Sequence, residues 1–191
     1  MKKYVVLICL VSHGLLAAGQ LVGTLDVIAG RSNVPSSRYN GSSSALQVTL
    51  TSGTKNRYYT GGVNWTHVGY KLDDYPEPAS LYLAFANYTD WYAGIGKGFH
   101  LGLPKDMLIA GLTASVRSGN EAFTQRGLHS YFNSVAIAPG AGGWILYRVP
   151  VYRWLSLQAQ ARMHAYTSQR SPCTTYNLGL SFRILNRNKP K

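Results

Sequence analysis

The 191-residue chain sets 19 Lys and Arg against seven Asp and Glu, a formal charge of +12. Its two cysteines, Cys9 and Cys173, are too few for a clustered zinc site. The length suits one domain, and beyond residue 19 no run of 18 apolar residues exists to form a spanning helix.

The first element is a leader. Met1-Lys2-Lys3, the apolar run 4–16 and the small residues Ala17-Ala18-Gly19 follow the order of a secretory signal. A cut after Gly19 would put Ala17 at the −3 position. The run is shorter than the roughly 20 residues of a spanning helix, and Ser12 and His13 interrupt it. Cleavage leaves 191 − 19 = 172 residues and, with Lys2 and Lys3 gone, a charge of 12 − 2 = +10. Cys9 leaves too, so Cys173 stands alone. Cys9 also lies inside the apolar run, where it cannot begin a lipoprotein. An exported cationic chain meets lipopolysaccharide phosphates and acidic polysaccharides, so nucleic acid is not an expected partner.

Turn-forming residues divide the remainder into segments 21–34, 45–51, 57–72, 79–101, 107–118, 127–149, 154–166 and 175–185. In 107–118, Leu108, Ala110, Leu112, Ala114 and Val116 alternate with Gly111, Thr113, Ser115 and Arg117. In 154–166, Leu155, Leu157, Ala159, Ala161, Met163 and Ala165 oppose Ser156, Gln158, Gln160, Arg162 and His164. In 175–185, Tyr176, Leu178, Leu180, Phe182 and Ile184 oppose Thr175, Asn177, Gly179, Ser181 and Arg183. A period of two sustained for about ten residues, apolar on one face, predicts transmembrane β-strands rather than a soluble sandwich.

Segment 79–101 could split at Thr89-Asp90 and give nine strands. The even-number rule for single-chain barrels favours one long strand above the membrane, with room for a bulge. Short connections at 52–56, 102–106 and 150–153 alternate with longer ones at 35–44, 73–78, 119–126 and 169–174, which places both termini in the periplasm. The glycines within 140–143 predict a bend or bulge. Trp144, Tyr147, Tyr152 and Trp154 bracket the Pro150 turn, as an interfacial aromatic girdle would.

The expected fold is therefore all-β: a transmembrane antiparallel up-and-down barrel of eight strands over residues 20–185, with a basic periplasmic tail at 186–191. In alternation, turn order and leader, the chain resembles the small eight-stranded outer-membrane proteins of Gram-negative envelopes. That class includes OmpA-type and Ail-like barrels and the lipid A deacylases and palmitoyltransferases. The resemblance implies outer-membrane residence, lipid and lipopolysaccharide as neighbours, and folding by the barrel assembly machinery. Such barrels usually end on an aromatic residue, whereas here Phe182 and Leu185 precede the basic tail.

Two histidines are candidates for catalysis. The run Arg162-Met163-His164-Ala165-Tyr166 is similar to the deacylase pattern, which implies a catalytic His, a Ser two residues on and a following acid. Tyr166 stands at the Ser position, and no Asp or Glu follows His164. A lumen histidine in a hydrogen-bonded network is the preferred reading. The palmitoyltransferase resemblance at Phe85 to Tyr88 has Asn87-Tyr88 where an Asp-Ser pair is implied. His129 and Ser130 are adjacent, so on a strand they point to opposite faces, and neither has a carboxylate nearby.

Parity sends Arg117, Arg162 and Arg183 inward and makes Asp26 the inward acid of the first strand. An eight-stranded lumen is about filled by side chains and tolerates no unpaired charge. Asp26 should therefore bond Arg183 or Arg162, with Gln158, Gln160, His164 and Asn177 serving the rest, giving a plug instead of a pore. No cofactor or metal is implied. The expected function is a noncatalytic surface barrel. Its loops and rim, including Arg31, Arg38, Lys71, Arg126 and Arg170, would bind lipopolysaccharide, polysaccharide or host molecules. The alternatives are a lipid A-modifying enzyme using His164 or His129, and a small conduit or assembly partner of an envelope secretion system.

Overall fold

A strand that alternates apolar and polar residues offers one face to each of two surroundings, and eight of them can close on themselves. The computed structural model describes residues 22–33, 41–54, 57–70, 82–102, 106–125, 129–167 and 172–186. They form β1 (Val22–Asn33), β2 (Gly41–Thr54), β3 (Arg57–Tyr70), β4 (Tyr82–Phe99), β5 (Met107–Gln125), β6 (His129–Pro150), β7 (Leu155–Tyr166) and β8 (Cys173–Asn186). Each strand pairs antiparallel with its sequence neighbours. β8 returns to β1 through pairs such as Val27↔Leu180 and Ala29↔Leu178, closing the barrel. Closure removes the edges whose unpaired N–H and C=O groups hydrocarbon would not tolerate.

The polarity is inverted relative to a water-soluble domain. Leu112 and Leu178, outside, are 74% and 70% exposed, while Asp26, Gln47, Asn64 and Arg117 are buried within. Apolar out and polar in is what a hydrocarbon solvent selects. Two apolar clusters also lie inside. One joins Ile109, Trp144 and Leu146, with Met107 packed against it; the other joins Val68, Ala86, Tyr88, Ala138, Tyr166 and Cys173.

Segment 79–101 is the one long strand expected, β4, bulged between Leu83 and Phe85, with Thr89-Asp90 in mid-strand opposite Ser118 and Arg117. Three expectations change. Segment 45–51 is the middle of a longer strand that begins at Gly41. Residues 119–125, expected in a loop, extend β5, and the hairpin runs on to Gln125↔His129. The long ladder supplies partners that breaker counting overlooks. The 140–143 run keeps regular register with both neighbours, and the irregularity lies beyond it, between Arg117 and Gly119 on β5. Those glycines make room: a Cβ on Gly142 would stand 2.1 Å from His164 Cδ2 and 1.9 Å from the Met163 carbonyl oxygen. The expected leader and residues 187–191 lie outside the described residues.

The inversion can be tested at one position. Leu112→Arg would be nearly neutral on a water-facing surface but costs roughly 2–4 kcal/mol near a bilayer midplane. Urea unfolding from liposomes should show that loss. An unchanged midpoint would mean the outer face does not meet hydrocarbon.

Candidate functional site

Among the described residues, three arginines and two aspartates are buried in the lumen, a formal excess of 3 − 2 = +1. Nearest the rim that carries the termini, Arg148 Nη2 donates to Asp26 Oδ1 at 3.0 Å, to Oδ2 at 3.1 Å and to Gln158 Oε1 at 3.2 Å. Thr51 donates its hydroxyl to the same carboxylate at 3.0 Å. The Asp26 partner is thus Arg148. It is neither Arg183, which is exposed at the end of β8, nor Arg162, which has another role.

In the middle layer Gln47 Oε1 accepts from Arg162 Nη1 at 3.0 Å and from Asn177 Nδ2 at 3.1 Å, and Gln47 Nε2 donates to Gln160 at 2.7 Å. No carboxylate touches Arg162 among the described residues. Its guanidinium instead lies 3.6 Å from the centre of the Tyr92 ring. Desolvated cation–π contacts of this kind contribute on the order of 2 kcal/mol and can hold the surplus charge. The Tyr92 hydroxyl bonds Thr49, crossing Gly62, whose added Cβ would sit 2.8 Å from that oxygen.

Above this layer, Arg117 makes a forked pair with Asp90, Nε to Oδ1 at 2.6 Å and Nη2 to Oδ2 at 2.9 Å. Asn64 donates to Asp90 at 3.3 Å, and the guanidinium stacks over Tyr166 and Tyr88 at 3.9 and 4.7 Å. Arg117 Nη1 also reaches the Cys173 sulfur at 3.2 Å. His164 bonds Thr113 across Gly142, the Tyr166 hydroxyl at 3.0 Å and Arg162 at 3.4 Å. It meets no carboxylate and no serine among the described residues. His129 belongs to β6, but its side chain lies outside the described residues.

Of the four aromatic residues, three lie on the outside of the barrel and one does not. Tyr147 faces outward and donates to Asp106 Oδ2 at 3.2 Å, while Tyr152 and Trp154 are exposed and stacked with ring centres 6.4 Å apart. Trp144 is 2% exposed and inside. Positions 144 and 147 differ by an odd number, so one strand cannot show both to the same side. The same parity carries Arg148 inward with Trp144 and Leu146, which identifies a residue that sequence reasoning missed. Asp90 was missed because Thr89-Asp90 reads as a turn, although Ala86, Tyr88, Asp90 and Tyr92 share one face. Among the described residues, no cluster of His, Cys, Asp and Glu could hold a metal ion.

A closed, filled, inside-out barrel of eight strands has the fold of the small transmembrane β-barrels. The fold matches that of Neisserial surface protein A, with a TM-score of 0.57 and 12% identity over 85% of this chain and 97% of that one. Ail of Yersinia pestis, solved with the heparin analogue sucrose octasulfate, gives a TM-score of 0.47 and 14% identity over 86% and 98% of the two chains. The sequence matches no protein-family profile and no curated relative.

The rim-proximal ion pair makes a sharp prediction. Asp26→Asn strands Arg148 and should cost roughly 3–5 kcal/mol, the usual penalty for halving a buried pair. Arg148→Gln in addition should restore part of the loss, whereas Arg162→Gln should not. Urea midpoints in liposomes decide, and a neutral Asp26→Asn would show that the pair does not anchor the plug.

Proposed function

We propose that the protein is an outer-membrane surface barrel without catalytic chemistry, exported by a leader at 1–19, whose loops bind anionic surface polymers. The observation that carries this reading is the state of the lumen. Its described polar side chains are largely committed to one another, and His164 is held by Thr113, Tyr166 and Arg162 with no carboxylate bonded to it among the described residues. A histidine held between buried hydroxyls and an arginine, without an orienting acid, is poorly placed as a catalytic base, which favours the rim loops as the working surface.

Charge supports the ligand class. Four connections leave the rim opposite the termini: 34–40, 71–81, 126–128 and 168–171. Three carry one arginine and no acid, namely Arg38, Arg126 and Arg170, while 71–81 sets Lys71 against Asp73, Asp74 and Glu77. The structures of those four connections lie outside the described residues; Arg31, near them on β1, is exposed. Lipopolysaccharide phosphates and sulfated or uronic polysaccharides are the complementary polymers.

Replacing Arg38, Arg126 and Arg170 with Gln together should weaken binding of lipopolysaccharide or heparin by roughly tenfold or more at low salt, each lost ionic contact contributing about 0.5–1 kcal/mol. Unchanged affinity would remove the loops as the site. His164→Gln should leave the lipid A mass spectrum of the host strain unchanged. A species that vanishes with it would establish the enzyme reading instead.

A further inference from the structure

At the rim carrying the termini the plug stops short, leaving a chamber of about 660 Å³ bounded by the turn between β6 and β7. Among the described residues, Arg148, Arg153, Arg183 and His100 line it; Asp26 beneath is bound to Arg148, and Asp106 stands 3.9 Å from the His100 ring. The three arginines against these two acids leave 3 − 2 = +1. Among the chain's other acids, Asp90 is paired with Arg117 higher in the lumen and Tyr88 donates to Glu121. Asp73, Asp74 and Glu77 fall between β3 and β4, strands whose facing ends lie at the opposite rim.

Arg148 is the structural clue. It is more than nine-tenths buried and is held through Nη2, while its buried Nε has no hydrogen-bond partner among the described residues. An unsatisfied buried donor on a charged group is costly, and a native fold normally supplies an acceptor. Arg183 lines the same chamber, so an anion there faces more than one guanidinium.

We propose that this chamber binds a phosphoryl group, with Arg148 as its buried anchor, Arg153 and Arg183 as its outer clamp and the Ser156 hydroxyl alongside. Guanidinium forks match the paired oxygens of a phosphate, and several around one site suit a tetrahedral dianion. The volume lies in the range of organic-ligand sites, about 300–1,000 Å³, so the phosphoryl group carries an organic remainder against Met107, Val151 and Tyr152. Either a soluble organophosphate or the phosphoglycerol headgroup of a lipid at the rim presents that chemistry. The proposal does not depend on what the opposite loops bind.

The test uses the full mature protein folded in phosphatidylcholine nanodiscs. Calorimetry with glycerol 3-phosphate reads the soluble source, and enrichment of phosphatidylglycerol around the protein reads the lipid source. Arg153 and Arg183 are exposed, so the Arg153→Gln/Arg183→Gln double variant should fold normally. It should lose at least roughly tenfold in affinity for whichever probe binds, as expected for charge-assisted hydrogen bonds removed. Lys97→Gln, an exposed cation that does not line the chamber, should change nothing. Binding of the soluble probe alone assigns a free organophosphate, and lipid enrichment alone assigns a headgroup. Binding of neither, or equal losses in the Lys97 control and the double variant, would overturn the site.

Discussion

The twelve-residue ladder between β1 and β8 is the contact on which the rest depends. Without it the sheet has two edges, and in hydrocarbon each unpaired backbone group costs several kcal/mol. Once it forms, the radius is set by eight strands, and the interior has room for side chains but no open channel. Every inward position must then either fill space or yield it. Tyr92 and His164 each reach two strands sideways for a hydroxyl partner, and each passes over a glycine, Gly62 and Gly142, to do so.

Filling that space with polar groups imposes an electrostatic order. Asp26–Arg148 and Asp90–Arg117 each neutralise one end of the plug, and Arg162 between them meets, among the described residues, the Gln47 amide oxygen, the His164 ring and the Tyr92 face. Buried pairs contribute little net stability against apolar replacements, but they are severe about register. A one-residue slip of β4 or β6 would turn Asp90 or Arg148 into the lipid and leave its partner stranded. The plug therefore specifies which strands stand beside which, more than it deepens the energy well.

β5, β7 and β8 could be read from sequence because each keeps a clean alternation, with Leu and Ala opposite Thr, Ser, Gln and Arg, and a period of two has one interpretation there. β6 could not, because Trp144 and Leu146 face inward while Ile145 faces outward, so hydrophobicity stops marking the side. That ambiguity hid Arg148 and with it the true partner of Asp26. Arg183 shows a different limit: its parity is inward, but near the end of β8 inward means into the rim chamber and not into the plug. The length of β5 beyond Ser118 also escaped, since residues such as Gly119 and Asn120 read as turn formers and only cross-strand pairing holds them extended.

Tryptophan position relative to the acyl chains tests the inside-out barrel most directly. Trp65, on β3, is 43% exposed on the outer face, whereas Trp144 is enclosed with Ile109 and Leu146. Single-tryptophan variants retaining one or the other, with the remaining tryptophans replaced by Phe, would be folded into vesicles containing brominated acyl chains. Trp65 fluorescence should be quenched by the brominated lipid, and Trp144 fluorescence should resist both the lipid and aqueous acrylamide. Quenching of Trp144 by lipid with Trp65 untouched would contradict the parity, and lack of lipid quenching at Trp65 would contradict a membrane-facing wall.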